Sequence, residues 1–331
     1  MSEASQDYWI GFDLGGTKML AVVFDDDFKE LGKARKKTKG NEGMEAGLKR
    51  INSTIEEALE DAEIKASQVK GLGIGCPGPL DLKKKSIRSA PNLGWENAPV
   101  GKSIEGEFGF PVTVANDVDA GVFGEYKFGA GKGARCVVGI FPGTGIGGGC
   151  VYEGKLFLGG NCSCMEIGHI PVLPGGPIDG AGNHGSLEGV AARLTIAGQC
   201  ALAAYRGQAP NLLEKSGTDI SDIRSGAISY AIEKGDKVVE EIVEDACEYL
   251  AMSVVTMVHL MAPDVIVFGG GMIEAMEDTM LPVIKKRAQK RILPAMRDVY
   301  EIVPAKLGDD AGVMGAAALA KQAVKETTAK A

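Results

Sequence analysis

Tyr8-Trp9-Ile10-Gly11-Phe12, then Asp13-Leu14-Gly15-Gly16-Thr17-Lys18, then Met19-Leu20-Ala21-Val22-Val23-Phe24 form an apolar run, a glycine turn and a second apolar run. β-prone residues bounded by glycines predict strand, tight turn, strand. The same order returns far downstream, where Cys136 to Phe141 and Cys150 to Tyr152 flank Gly143-Thr144-Gly145-Ile146-Gly147-Gly148-Gly149. Glycine lets a backbone take positive φ and aim its N–H groups at an anion. Each hairpin is therefore expected to cradle a polyphosphate, with the Thr17 and Thr144 hydroxyls as extra donors. Neither turn is a Walker loop, because no Gly-Lys-Ser/Thr ending opens a helix, and neither fits the dinucleotide fingerprint. One such turn is an ordinary hairpin. Two of them framing an Asn116-Asp117 pair predict an internal structural repeat that binds phosphate.

Outward from the first hairpin, strands alternate with helices. A polar strand spans Phe28 to Thr38, and a helix follows in which Met44, Leu48, Ile51, Ile55 and Leu59 step by three or four. Val69 to Gly75 is a buried strand ending at the rigid turn Cys76-Pro77-Gly78-Pro79, and Phe110 to Ala115 is another that runs into Asn116-Asp117. This alternation implies a largely parallel sheet, whose ligands bind beyond the strand carboxyl ends. Asn116-Asp117 sits at such an end. A helix from Asp117 to Tyr126 starts there, so either residue is also a candidate N-cap. After the second hairpin comes a loop-rich stretch from Gly154 to Gly185, then a helix near Leu187 to Tyr205. A helix from Val238 to Met261 carries Ile242, Ala246, Leu250, Val254 and Met257 on one face, with His259 read as a core residue. The strand Val265 to Phe268 ends in a third glycine turn, Gly269-Gly270-Gly271. Val313 to Val324 is helical and residues 325 to 331 are expected to fray.

The 331 residues suggest two domains of ordinary size. With Lys+Arg 36 and Asp+Glu 44 the net charge is −8, which argues against broad attraction to nucleic acid. The run Lys83-Lys84-Lys85 is short enough to be a solvated loop. Leu250 to Gly271 is interrupted by His259, Pro263 and Asp264, so no membrane span of ~20 apolar residues is expected. Seven irregularly spaced cysteines and the absence of a signal pattern in Met1 to Asp7 suggest reduced thiols and a cytoplasmic location.

The ordered motifs resemble the sugar kinases of the ROK family, glucokinase-like members of the hexokinase, Hsp70 and actin superfamily. The residues that carry the resemblance span nearly the whole chain. They are Asp13 to Lys18, Gly73-Ile74-Gly75-Cys76-Pro77-Gly78-Pro79, Pro91-Asn92-Leu93-Gly94-Trp95, Asn116-Asp117, Gly143 to Gly149, Glu166-Ile167-Gly168-His169, Gly182-Asn183-His184-Gly185-Ser186-Leu187-Glu188 and Gly269-Gly270-Gly271. The resemblance implies an α/β, two-lobed actin-like (ribonuclease H-like) ATPase fold with its active site in the interdomain cleft. Residues 1–116 with 312–331 would form a smaller lobe, carrying the first phosphate turn and part of the sugar site. Residues 117–311 would form a larger lobe, with the second phosphate turn, the sugar loops and the adenosine site.

Asp117 matches the family's catalytic base, a carboxylate able to take the proton of a sugar's terminal hydroxyl. Asn92, Asn116, Asp117, Glu166, His169 and Glu188 match sugar-contacting positions, and amides, carboxylates and imidazole suit hydroxyls that both donate and accept. Asp13 matches the position that holds Mg²⁺ through water. Gly15, Gly16, Thr17, Lys18, Gly143, Thr144, Gly145 and Gly147 would hold the phosphates, and Gly269 and Gly270 would let adenosine approach the backbone. The implied activity is ATP-dependent phosphorylation of a hexose at its terminal hydroxyl, with Mg²⁺ and ATP as cofactors and a homodimer as the assembly. Neither a nucleic acid nor a membrane is an expected partner. Glucose is the expected sugar, while mannose, fructose and N-acetylated hexosamines stay open, as does polyphosphate as donor.

The chain departs from the family at one point. Many members bind zinc through a Cys-x-Cys-Gly-x-x-Gly-Cys segment and the histidine that matches His169. The three cysteine positions here read Asp179, Ala181 and Ser186. Alanine cannot ligate and serine is a poor zinc ligand, so no structural zinc is expected. Hydrogen bonds would order the Gly159 to Glu188 loops. Cys162 and Cys164 with His169 and His184 are the alternative ligand set. ROK members also include sugar-responsive repressors, which would place a helix-turn-helix domain before the first phosphate turn, whereas Asp13 comes after twelve residues here. A non-catalytic sugar sensor is a further alternative, disfavoured by the presence of both aspartates and both turns.

Overall fold

The computed structural model describes residues 7–160 and 164–329 and divides into two compact units. Unit 1 takes residues up to Gly133, the Leu156–Cys164 stretch and the chain from Asp309 onward; unit 2 takes Ala134–Lys155 and Met165–Gly308. Unit 1 begins with β1 (Tyr8–Leu14), β2 (Lys18–Phe24), β3 (Glu30–Lys37), α1 (Met44–Asp61) and β4 (Val69–Cys76). It continues with β5 (Leu80–Asp81), β6 (Ser86–Ala90), β7 (Trp95–Ala98), α2 (Val100–Phe108), β8 (Val112–Asn116) and α3 (Asp117–Phe128). Unit 2 contains β9 (Cys136–Pro142), β10 (Ile146–Tyr152), β11 (Lys155–Leu156), α4 (Leu187–Ala191), α5 (Arg193–Tyr205), α6 (Pro210–Ser216), α7 (Ser225–Glu233) and α8 (Lys237–Met261). It is completed by β12 (Val265–Phe268), α9 (Gly271–Gln289) and β13 (Glu301–Pro304), after which α10 (Ala311–Thr328) returns to unit 1.

Each unit is built on one five-stranded sheet, and the two sheets share a topology. The orders are β3-β2-β1-β4-β8 and β11-β10-β9-β12-β13. In both, the first two strands form an antiparallel hairpin, and the later strands lie parallel to the first. The repeat expected from the glycine turns is thus a repeat of topology. Both faces of β1 and β2 are covered, which is why they read as near-continuous apolar runs. Helix α1 buries Ile51, Ile55 and Leu59 against the core that includes Ile10, Phe12 and Ile74. Each such side chain contributes roughly 1.5–3 kcal/mol by leaving water. Helix α8 closes the separate core of unit 2 with Val243, Ala246, Leu250, Val254 and Val258.

Several boundaries differ from those expected. The segment at 187–205 is two helices, because Ala192 is extended (ψ 156°) and Ser186 caps α4. The C-terminal helix runs to Thr328 rather than fraying from residue 325. Phe28 sits at φ 61° in a turn, so β3 starts at Glu30. His259 is exposed rather than core, and its Nε2 accepts the Leu293 N–H at 3.2 Å. The division at 116/117 falls instead at 133/134, since α3 packs on α10 within unit 1. A Cβ at Gly315 would stand 1.7 Å from the Ala120 carbonyl oxygen, so the two helices touch backbone to backbone. The six described cysteines form no disulfide, and among the described residues no helix is long and apolar enough to cross a membrane.

Candidate active site

In unit 1 the parallel strands bring two carboxylates to one end of the sheet. Asp13 on β1 pairs with Gly75 on β4, and Cys76 pairs with Asn116 at the end of β8. The buried Cys76 thiol is pushed well above its usual range by burial and then by the charges of Asp117 and Asp13 beside it. Asn116, not Asp117, is the cap of α3: its Oδ1 accepts the N–H groups of Val118 at 2.9 Å and Asp119 at 3.3 Å. That leaves the Asn116 amide N–H groups as its remaining donors. Asp117, the first residue of α3, accepts the Val118 N–H at 3.0 Å through Oδ1. Among the described residues no hydrogen-bond donor meets the Asp13 carboxylate. Burial pushes its pKa up to about 6, Lys18 and Arg35 pull it down, and Asp309 pushes it up. A mostly buried carboxylate short of donors is the kind of hard oxygen group with which Mg²⁺, keeping most of its waters, is held, so Asp13 suits that ion.

The first glycine turn is closed by Gly15 N–H donating to the Lys18 carbonyl at 3.0 Å, and Thr38, the residue after β3, braces it. Thr38 Oγ1 donates to the Gly15 carbonyl at 2.7 Å and its N–H donates to the Thr17 carbonyl at 2.9 Å. Gly16 and Thr17 are exposed at the tip. Lys18 is held by an exposed ion pair with Asp309 at 2.9 Å. Asn92 lies against the turn, for a Cβ on Gly16 would come within 2.9 Å of its Nδ2.

Unit 2 gathers a second set around its own turn. The Gly143 N–H donates to the Gly145 carbonyl at 2.8 Å, and the break before α5 lets the Arg193 N–H donate to the Gly143 carbonyl at 2.9 Å. Arg193 Nη2 also donates to Thr144 Oγ1 at 3.0 Å, leaving the hydroxyl hydrogen for another acceptor. Glu188 Oε2 accepts the Ile146 N–H at 3.0 Å, and a Cβ on Gly145 would stand 2.3 Å from that same oxygen. His169 lies close by, and ligand atoms of His169, Asp179 and Glu188 fall within 4.8 Å of one another. Glu166 is exposed at the start of the 167–169 turn. Gly270 (φ 80°) caps α9, and Gly269 packs on Phe141 at the end of β9, which sets the third turn beside the second.

In the two turns Gly15, Gly16 and Gly145 serve close approach rather than positive φ, since a Cβ on each would come within 3.0 Å of the Lys18 carbonyl oxygen, Asn92 Nδ2 and Glu188 Oε2 in turn. None of Gly15, Gly16, Gly143, Gly145 and Gly147 adopts a positive φ. If Glu188 contacts a sugar as the resemblance implies, Gly145→Ala, which would push Glu188 aside, should raise the sugar KM about 10-fold or more, since a small misplacement of a positioned group is costly. The ATP KM should stay within about twofold, and steady-state kinetics with each substrate varied in turn check this. An equal rise in both would detach Glu188 from the sugar. Thr38 and Arg193 had no signal in the sequence, because only the folded chain brings them to the turns. Of the alternative zinc set, His184 Nδ1 bonds the Gly176 carbonyl at 3.2 Å, while His169 turns to Asp179. Cys162 and Ser163 lie outside the described residues.

Known proteins are similar to this chain in sequence and fold. The model of the ROK family matches residues 9–323. A glucokinase of Thermotoga maritima is 32% identical over 316 residues, covering 95% of this chain and 98% of the relative. A crystal structure of a ROK family glucokinase from Streptomyces griseus, in complex with glucose and AMPPNP, superposes with a TM-score of 0.81 at 31% identity. It covers 95% of this chain and 99% of that one. A xylose repressor of Caldicellulosiruptor bescii is 24% identical over 94% of this chain and 77% of its own length.

Proposed function

The chain belongs to the ROK family, and we propose that this sugar kinase transfers the γ-phosphoryl group of ATP to the terminal hydroxyl of a hexose, glucose foremost. The observation that carries this reading is the placing of Asp13 and Asp117 at the ends of parallel strands, beside one buried thiol. Asp117 is the general base. It accepts the hydroxyl proton as the sugar oxygen attacks the γ-phosphorus; that O–P bond forms, the bond to the β,γ-bridging oxygen breaks, and ADP departs. Asn92, Asn116, Glu166, His169 and Glu188 orient the sugar. The turn N–H groups, Thr17, Thr144 and Lys18 hold the phosphates, with Arg193 an added cation beside Thr144. Gly269 and Gly270 admit adenosine. Mg²⁺, held by Asp13 through water, would spread the charge of the transferring phosphoryl group.

Glucose is favoured by the T. maritima and S. griseus relatives; mannose, fructose and N-acetylated hexosamines are the alternatives. A cytoplasmic homodimer is the working state that the family resemblance implies, and it is part of the same proposal. Initial rates with ATP and Mg²⁺ across a hexose panel test the substrate, and glucose is expected to give the highest kcat/KM. A higher value for another hexose reassigns the sugar. Binding of sugars without turnover on any of them would replace the kinase with a sugar sensor of the kind the repressor exemplifies. A parallel arm with polyphosphate decides the donor.

A further inference from the structure

We infer that Asp179 is a positioning residue that orders the sugar-binding segment by hydrogen bonds where relatives use zinc. It rests on the reading of His169 and Glu188 as sugar ligands. The Asp179 side chain is fully buried and both its oxygens are occupied. Oδ2 accepts Ser186 Oγ–H at 2.7 Å and His169 Nδ1–H at 2.9 Å, with Asn183 Nδ2 at 3.4 Å. Oδ1 accepts the backbone N–H groups of Ala181 at 2.9 Å and Asn183 at 2.8 Å. The three positions that read cysteine in zinc-binding relatives therefore still converge on one centre: a carboxylate at 179, a backbone N–H at 181 and a hydroxyl at 186. The histidine completes it.

Two site residues hang from this centre. Ser186 Oγ accepts the Gly189 N–H at 3.1 Å and so caps α4, the helix that carries Glu188. The Asp179 carboxylate can only accept, so His169 donates from Nδ1 and its Nε2 is left to face a sugar hydroxyl. Ligation of a metal at Nδ1 would instead leave an N–H at Nε2. A metal fits this donor set poorly. A carboxylate has about four lone-pair directions, and those of Asp179 are already taken. Glu188 Oε2 is committed to Ile146. Burial would raise the Asp179 pKa, but the bonds from Ser186, His169, Asn183 and Ala181 outweigh it and hold the group far below the carboxylate range.

Asp179→Asn tests the inference, because its oxygen can keep the two backbone N–H bonds while its amide nitrogen opposes both Ser186 and His169. Hydrogen exchange across residues 165–191 is expected to quicken with circular dichroism unchanged. The sugar KM should rise about 10–100-fold, the range for removing a group that orients a ligand-binding side chain, with the ATP KM within about twofold. The triple variant Asp179→Cys, Ala181→Cys, Ser186→Cys should bind one zinc and recover slow exchange until a chelator is added. Wild-type protein purified without added metal should contain far less than one zinc per chain and resist chelator. Stoichiometric zinc in the wild type, or unchanged exchange in Asp179→Asn, overturns the inference. Faster exchange with an unchanged sugar KM upholds Asp179 as the ordering centre and removes His169 and Glu188 from the sugar.

Discussion

Asp117→Asn is expected to lower kcat by about 10²–10⁴-fold, the usual loss on removing a general base. An amide is isosteric with the carboxylate and can still accept the Val118 N–H that Asp117 Oδ1 accepts at 3.0 Å, so α3 should begin where it does now. The cap itself belongs to Asn116, which keeps both its bonds. What the amide loses is basicity, and with it the route for the hydroxyl proton. The interaction matters mainly in the transition state, so kcat and kcat/KM should fall together and the sugar KM should change little. Steady-state kinetics with circular dichroism check this. Turnover within a few-fold of wild type would show that Asp117 only begins a helix and that the proton leaves by another route.

Asp13→Asn should lose activity by about 10²–10³-fold, as removal of a metal-holding carboxylate costs several kcal/mol of transition-state stabilisation. It should also gain stability. Burial raises the folded-state pKa of Asp13 from 3.8 to about 6. Between those values the unfolded chain has released a proton that the native state still holds, so stability falls as pH rises through that window. Above pH ~6 the ionised carboxylate costs on the order of 1–3 kcal/mol, from a shift of about two pKa units. The asparagine bears no charge and avoids that cost. Thermal melts without divalent cation should therefore give Asp13→Asn a higher Tm than wild type at pH 7.5, with the gap closing near pH 4. A variant less stable at both pH values would mean that the carboxylate is stabilised by neighbours and is no cation ligand in waiting.

The sequence read the two hairpins well because a strand covered on both faces and a glycine turn are local, periodic features. Tyr8–Leu14 and Lys18–Phe24 need no distant partner to be recognised. The same holds for the α1 stripe and for Asn116-Asp117 at the end of a strand. It was misleading about glycine. The turns suggested positive φ, but Gly16 and Gly145 are needed because Asn92 and Glu188, distant in the chain, lie where a Cβ would go. The small sheet of β5, β6 and β7 and helices α6, α7 and α9 leave little signal in the sequence, since their segments are short or irregular, as in α9, which carries Pro282 inside it and leaves helical geometry at Met276.

By itself the sequence determined the α/β class and the repeated strand–turn–strand unit, which reside in residue type and spacing, while the family and the loss of the cysteine ligands came through the resemblance of its motifs. The tertiary structure alone decided that α3 belongs with α10, that Thr38 braces the first turn and Arg193 the second, and that Asp179, Ala181 and Ser186 close on His169. The physical reason lies in the range of the forces. Propensity and periodicity act over a few residues of chain and are written there. Hydrogen-bond saturation, desolvation and close approach depend on which distant segments the fold brings within about 3 Å, and composition holds no record of that.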